Sequence, residues 1–167
     1  SNIKYLIMEV SSHSLILGRV KGIEFDIAVW TNLTPDHLDF HKDMNTYFEA
    51  KSLLFFSLQN NTKQNKKYAI INIDDLYGKK LFETDLKIQK ISYSVKDKTA
   101  QINASDIILN NDNSSFMLTS LFGNKNIKIP HIGLHNIYNI LAVFAVSIVS
   151  GFKFDDIANK LEFTSPA

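Results

Sequence analysis

The run MEVSSHSLILGRV, Met8 to Val20, carries an apolar stretch into a carboxylate, two serines and a histidine: Glu9, Ser11, Ser12 and His13. Buried strands ordinarily hand over to a turn of Gly, Asn, Asp or Pro. A Glu-x-Ser-Ser-His tip therefore points to a bound group that takes anionic and hydroxyl ligands. A second cluster, TNLTPDHLDFH (31–41), places Asp36, His37, Asp39 and His41 within six residues. The ordinary reading has Asp36 capping a helical turn through Thr34-Pro35-Asp36, with the histidines as partly exposed loop residues. Glu9 at the end of the preceding strand tips the balance towards a cation site. Carboxylate and imidazole donors without thiolates suit Mg²⁺ or Mn²⁺ better than structural zinc.

Two further groups deserve chemistry. Tyr47 and Lys51 are four residues apart and so share a helix face, although a lone helical lysine is ordinarily solvated or snorkelling. His135, Asn136 and Asn139 open a later helix. Asn136 suits an N-cap, whereas Asn139 lies inside the first turn, where asparagine is a poor helix former.

The elements that must position these residues alternate strand and helix. IKYLIMEV (3–10), FDIAVWTNL (25–33) and KKYAIINID (66–74) are near-continuous apolar runs, the pattern of strands buried on both faces of a parallel sheet. NTYFEAKSLLFFSLQ (45–59), apolar at Phe48, Leu53, Leu54, Phe55 and Leu58, reads as the crossover helix of a βαβ unit. From about 87 to 132 the segments KIQKISYS, QINASDIIL, SFMLTSLF and NIKIPHI, broken by NNDNSS and GNKN, read as an antiparallel excursion of hairpins. GLHNIYNILAVFAVSIVSG (133–151) restores a helix with Ile137, Ile140, Leu141, Phe144, Ala145 and Ile148 on one face and Gly151 as its stop, and DDIANKLEF adds a short last helix. The expected class is α/β: a mostly parallel central sheet flanked by helices, with a small antiparallel β excursion.

Bulk properties narrow the function. The 167 residues, 45% hydrophobic and 11% aromatic, suffice for one domain with a core. Eighteen Lys plus Arg against 17 Asp plus Glu give a net charge of +1, which makes no electrostatic case for nucleic acid or a membrane surface as partner. With no cysteine, a disulfide frame is excluded and a cytoplasmic protein is expected. The apolar stretch at 140–149 is too short for a membrane span, and the N-terminus lacks a signal-peptide pattern. Ser1-Asn2 directly before a strand and SPA directly after a helix are expected of a truncated piece of a longer chain.

EVSSHSLILGRV, then FDIAVWTNLTPDHLDFHKDMNTYFEAKSLLF, INIDD and GLHNIYNILAV closely resemble, in order and spacing, the central ATP-binding domain of the Mur ligases. The match is best with the UDP-N-acetylmuramyl-tripeptide synthetases. The resemblance implies a domain like that of phosphate-loop NTPases and a role in cytoplasmic peptidoglycan synthesis. The implied reaction is ATP-dependent addition of the third amino acid, L-lysine or meso-diaminopimelate, to UDP-N-acetylmuramoyl-L-alanyl-D-glutamate. It further implies that Glu9 and His37 bind Mg²⁺ between ATP phosphate and the substrate carboxylate, and that Lys51 is a carbamylated lysine supporting that metal. Ser11 and Arg19 match positions that hold the UDP-sugar peptide, and Arg19 is chemically suited to a carboxylate or phosphate through its planar fork. Asn136, Asn139 and His135 match the segment that meets the adenine, and Tyr47 and Asp75 match supports of the site.

Departures from the family pattern matter. Leu17 stands where the family commonly has glutamine two residues before the arginine, and no G-x-x-x-x-G-K-[ST] phosphate loop occurs in the sequence. The family places that loop and an N-terminal uridine-binding domain upstream, and an amino-acid-binding C-terminal domain downstream. The expectation is a single truncated central domain over 1–167, inactive on its own. Two alternatives stay open: a sister enzyme such as another Mur ligase or a folylpolyglutamate synthase, and a non-catalytic nucleotide-binding module.

Overall fold

A computed structural model describes residues 3–36, 40–60 and 66–162. One sheet runs through it, with strands β1 (Ile27–Trp30), β2 (Tyr68–Asn72), β3 (Gln89–Ser94), β4 (Ile102–Leu109), β5 (Ser114–Ser120) and β6 (Gly123–Ile129) lying side by side in chain order. The pairings from β1 to β4 are parallel, and β4-β5-β6 form an antiparallel meander. Five helices accompany the sheet: α1 (Ser12–Ile16), α2 (Met44–Gln59), α3 (Leu76–Glu83), α4 (Leu134–Val149) and α5 (Phe154–Leu161).

Side-chain alternation along β2 explains the layering. Ala69 and Ile71 belong to a core shared with Trp30, Phe48, Phe55, Leu58 and Leu81, on the face covered by α2 and α3. Ile70 points the other way, into a core with Tyr93, Phe116, Leu118, Ile137, Leu141 and Phe144 under α4 and α5. A strand's period of two puts neighbours on opposite faces, so both faces of β2 must be apolar. The helix expected over 45–59 is α2, which joins the parallel pair β1 and β2 as a crossover. Its inner face is Tyr47, Phe48, Phe55 and Leu58, while Leu53 stays 44% exposed. α4 buries Ile137, Ile140, Leu141, Phe144 and Ala145, and Gly151 follows it with φ +91°, a conformation that terminates helices.

Several expectations give way. IKYLIMEV (3–10) is not a strand: it lies outside the ladder, and Ile3, Leu6 and Ile7 are 76%, 78% and 89% exposed. A strand exists through pairing, and among the described residues the first strand of the sheet is hydrogen-bonded only to β2. KIQKISYS does not belong to the antiparallel excursion. It supplies β3, parallel to β2 over five residue pairs, because α3, which the sequence reading missed, returns the chain across the sheet before it. β4 also starts parallel to β3, over Tyr93↔Ile102 and Ser94↔Asn103. A short connection suffices there because β4 begins level with the end of β3. The polar GNKN, read as a break, forms the start of β6.

Gly78 in the first turn of α3 shows how tightly that crossover is set. A Cβ there would sit 2.1 Å from the Asn72 carbonyl oxygen and 3.0 Å from Trp30 Cδ1. The obstacle is backbone, which cannot step aside as a side-chain tip can. Gly78→Ala is therefore expected to destabilise the domain by about 1–3 kcal/mol, the usual cost of overpacking, measurable as a lower urea midpoint. An unchanged midpoint would show that α3 shifts freely against β2.

Candidate active site at the strand tips

Ser11 follows the N-terminal segment and caps α1, its hydroxyl oxygen accepting the Ser14 amide at 3.2 Å. The next residue, Ser12, is buried and meets Nε2 of the buried His41 at 2.9 Å. That contact pins the turn after Glu9 to the loop after β1. The His41 ring stacks on Tyr47 of α2 with centroids 4.7 Å apart and planes 19° from parallel. One helical turn on, Lys51 Nζ lies 5.5 Å from the centre of the Tyr47 ring. His41, grouped by sequence with the acidic loop cluster, thus braces α1 against α2.

Lys51 is partly buried, and burial is the main cause that lowers its pKa; the charges of Glu9 and then Asp36 act in the opposite sense. Burial also raises the Tyr47 pKa, with the Asp36 charge adding to it. Glu9 from the N-terminal segment and Asp36 from the loop after β1 therefore both act electrostatically on Lys51 of α2. The turn that Asp36 was expected to cap runs into 37–39, outside the described residues. The N-cap of α2 is Asp43, whose carboxylate accepts the Thr46 amide at 2.8 Å, because a carboxylate directly before the helix satisfies an orphan donor. Arg19 is exposed beyond α1. His37, with Leu38 and Asp39, lies outside the described residues. Among the described residues no group of three His, Cys, Asp or Glu side chains is placed to hold a metal ion.

A cavity of about 260 Å³ opens at the same carboxyl edge of the sheet, lined by Thr31, Asn32, Asn72, Asp74, Asp75, His135, Tyr138 and Asn139. Open α/β sheets bind ligands at this edge. Its two carboxylates are already engaged. Asp75 is the N-cap of α3 and accepts from the Gly78 amide at 2.7 Å, the Trp30 indole at 2.8 Å and the Leu33 amide at 3.1 Å. Asp74 accepts from the Ser94 hydroxyl, the Val95 amide and the Tyr138 hydroxyl. The remaining lining is amide, hydroxyl and imidazole, with no lysine or arginine. Such a wall suits an uncharged hydrogen-bonding group better than a phosphate.

Of the residues the sequence singled out here, His135, Asn139 and Asp75 line the cavity together, and Asn136 does not. Nor is Asn136 the N-cap. That position is Gly133, and Asn136 lies one turn later, its Nδ2 donating to the Ile132 carbonyl at 2.8 Å. The helix starts earlier because Gly133 adopts φ +91° and redirects the chain. Thr31, Asn32, Asn72, Asp74 and Tyr138 were missed. The available signals were the helical spacing of Tyr138 from His135 and the position of Asn72 and Asp74 at a strand's carboxyl end.

Comparison with known proteins places these features in a family. The model of the Mur ligase middle domain matches residues 1–147. The UDP-N-acetylmuramoyl-L-alanyl-D-glutamate--2,6-diaminopimelate ligase of Oceanobacillus iheyensis is 46% identical over 162 residues, 96% of this chain and 32% of that protein. The UDP-N-acetylmuramoyl-L-alanyl-D-glutamate--L-lysine ligase of Staphylococcus aureus (strain MW2) is 39% identical over 159 residues, 95% of this chain and 32% of that protein. A solved structure of a UDP-N-acetylmuramoyl-L-alanyl-D-glutamate--2,6-diaminopimelate ligase superposes with a TM-score of 0.83 at 28% identity, covering 95% of this chain and 32% of that one. The chain spans about a third of the length of the curated relatives it matches. With 147 of its 167 residues accounted for by one family model, the chain belongs to the Mur ligase family, whose middle domain it carries.

Proposed function

We propose that this chain is the ATP-binding domain of a ligase of peptidoglycan precursor synthesis. The ligase joins a third amino acid, L-lysine or meso-diaminopimelate, to UDP-N-acetylmuramoyl-L-alanyl-D-glutamate in the cytoplasm. The observation that carries the reading is the partial burial of Lys51 within the field of Glu9 and Asp36, together with a polar cavity free of lysine and arginine at the carboxyl ends of β1 and β2. Relatives named for both amino acids lie at similar identity, so both belong to the proposal.

The residues present fit a hard divalent cation. Glu9 and Asp36 bring oxygen donors, and burial favours the neutral amine of Lys51, the form that adds CO₂ to become an anionic carbamate. Glu9, His37 and Lys51 are the proposed holders, and Mg²⁺ bound there would neutralise charge as two anions approach. In the first chemical step a glutamyl carboxylate oxygen attacks the ATP γ-phosphorus, and the bond to the ADP oxygen breaks, leaving an acyl phosphate and ADP. The amino group of the incoming amino acid then adds to the acyl carbon. Phosphate leaves with the bonding electron pair, and the nitrogen sheds a proton.

The protein's part is placement. Ser11 and Arg19 are proposed to receive the UDP-sugar peptide near α1, while His135, Asn136 and Asn139 receive the adenosine end of ATP at the start of α4. Of these three, Asn136 acts by fixing the backbone at Ile132. Alignment of donor and acceptor is the main requirement of phosphoryl transfer, and residues drawn from separate elements would meet that requirement.

The test is ligation by the full-length product of the reading frame that encodes this chain, supplied with ATP, Mg²⁺, the UDP-dipeptide and each amino acid in turn. The expected result is tripeptide with one equivalent each of ADP and phosphate, and no tripeptide from residues 1–167 alone. Glutamylation of a folate in place of the UDP-dipeptide would move the protein to a sister ligase. Nucleotide binding with no ligation of either acceptor would make it a non-catalytic nucleotide-binding module.

A further inference from the structure

Asp74, just past β2, gathers several donors on one carboxylate. Oδ1 accepts the Ser94 hydroxyl at 2.6 Å, and Oδ2 accepts the Val95 amide at 2.7 Å, the Tyr138 hydroxyl at 2.9 Å and the Lys96 amide at 3.2 Å. The exits of β2 and β3 and the start of α4 are thereby tied at one point, across a separation of 64 residues for the tyrosine. Burial, helped by the carboxylate that accepts its proton, raises the Tyr138 pKa and keeps the hydroxyl a donor.

The start of α4 needs such a tie. Its N-cap is Gly133, which offers no side-chain capping bond. The Asn136 amide donates to the preceding carbonyl of Ile132, which ties the helix start to its own entry loop rather than to the strand tips. His135, Tyr138 and Asn139 stand at i, i+3 and i+4, one strip of the helix, and all three line the cavity. Further along, Ile137, Leu141, Phe144 and Ala145 are fully buried and hold the helix body against the sheet.

We infer that Tyr138 is a positioning residue of the cavity: its bond to Asp74 sets where His135 and Asn139 stand relative to the strand tips, and so how tightly the nucleotide is held. This rests on the proposal that the cavity receives ATP. Because the apolar anchors are untouched, removing the hydroxyl leaves the fold in place and loosens only the first turns of α4.

The experiment compares wild type, Tyr138→Phe and Asp74→Asn in the full-length ligase, reading kcat and KM for ATP and for the amino acid, with thermal midpoints as control. Expected for Tyr138→Phe is a rise in KM for ATP of about tenfold, the loss of one charge-assisted hydrogen bond, with kcat within about threefold and KM for the amino acid unchanged. Asp74→Asn, which keeps an acceptor but weakens it, should raise KM for ATP by a smaller factor. A purely structural role would lower the thermal midpoint and the active fraction while leaving KM for ATP within twofold, and that result overturns the inference. Wild-type protein that ligates with ATP while Tyr138→Phe keeps its KM sinks the positioning role alone; wild-type protein that takes no adenine nucleotide sinks the functional proposal with it.

Discussion

Replacing Lys51 by alanine is expected to lower kcat of the full-length ligase by at least about a hundredfold, the scale on which loss of a charge-stabilising group at a reacting centre is felt. The amine sits partly buried on α2, its pKa lowered by desolvation and only partly restored by Glu9 and Asp36. A neutral amine is the nucleophile that captures CO₂, so Lys51 should take up ¹³C-bicarbonate more readily than a surface lysine, and increasingly so as pH rises from about 6 to about 9. An adduct on the wild type and none on Lys51→Ala, seen by carbon NMR, would establish the carbamate. Restoration of activity to the alanine variant by a short carboxylic acid would establish what it does. Equal labelling of the two proteins would remove the role assigned to this lysine.

The same shift has a stability consequence that separates chemistry from folding. A lysine whose folded pKa lies below its unfolded value of 10.5 disfavours the folded state wherever both states are protonated. That penalty is full below the folded pKa and fades as pH climbs from there through 10.5. Lys51→Met should therefore be at least as stable as wild type at neutral pH, and the difference should shrink towards alkaline pH. An inactive but well-folded Lys51→Met is the expected pairing; a large loss of stability at neutral pH would argue that the lysine is structural.

Asp75→Ala is expected to cost about 3 kcal/mol or more of stability. Three donors lose their acceptor at once: the Trp30 indole, the Leu33 amide and the Gly78 amide. Trp30 and Leu33 are 3% and 6% exposed, so water cannot readily replace the carboxylate. Each buried donor left unsatisfied costs about 1–3 kcal/mol, and loss of a helix N-cap costs about 1 kcal/mol. In a domain of this size 3 kcal/mol corresponds to a fall in Tm of about 6–12 °C, readable by calorimetry. Asp75→Asn retains one acceptor and should lie between the two. Leu33 leads directly to Asp36, so the alanine variant should also lose nucleotide-dependent ligation more steeply than its folded fraction predicts. A variant with wild-type Tm would show that the exit of β1 is held by something other than this carboxylate.

Much of this was open to a reader of the residues. The apolar spacing in α2 and α4 is local, and a helix is largely specified by residues within a turn of one another, so both appear within the stretches where they were expected, although the N-cap of α4 is Gly133 and not Asn136. The Glu-x-Ser-Ser-His and Asp-His-Leu-Asp-Phe-His motifs and the lysine on α2 are statements of residue type and order, which need no coordinates.

What depended on partners distant in sequence was decided by the tertiary structure. IKYLIMEV has the composition of a buried strand, yet composition cannot say whether a neighbouring strand stands in register, and here the segment lies outside the ladder. KIQKISYS has the look of a hairpin arm, but its direction was set by an intervening helix whose Asp75 cap also serves Trp30 from 45 residues away. His41 was one histidine among several until packing put it against Ser12 and Tyr47. Residue types and local spacing determined which chemistry this chain carries and which helices it forms. Only the assembled sheet decided which side chains meet, because hydrogen bonds and ring contacts between separate elements depend on a geometry that no local stretch contains.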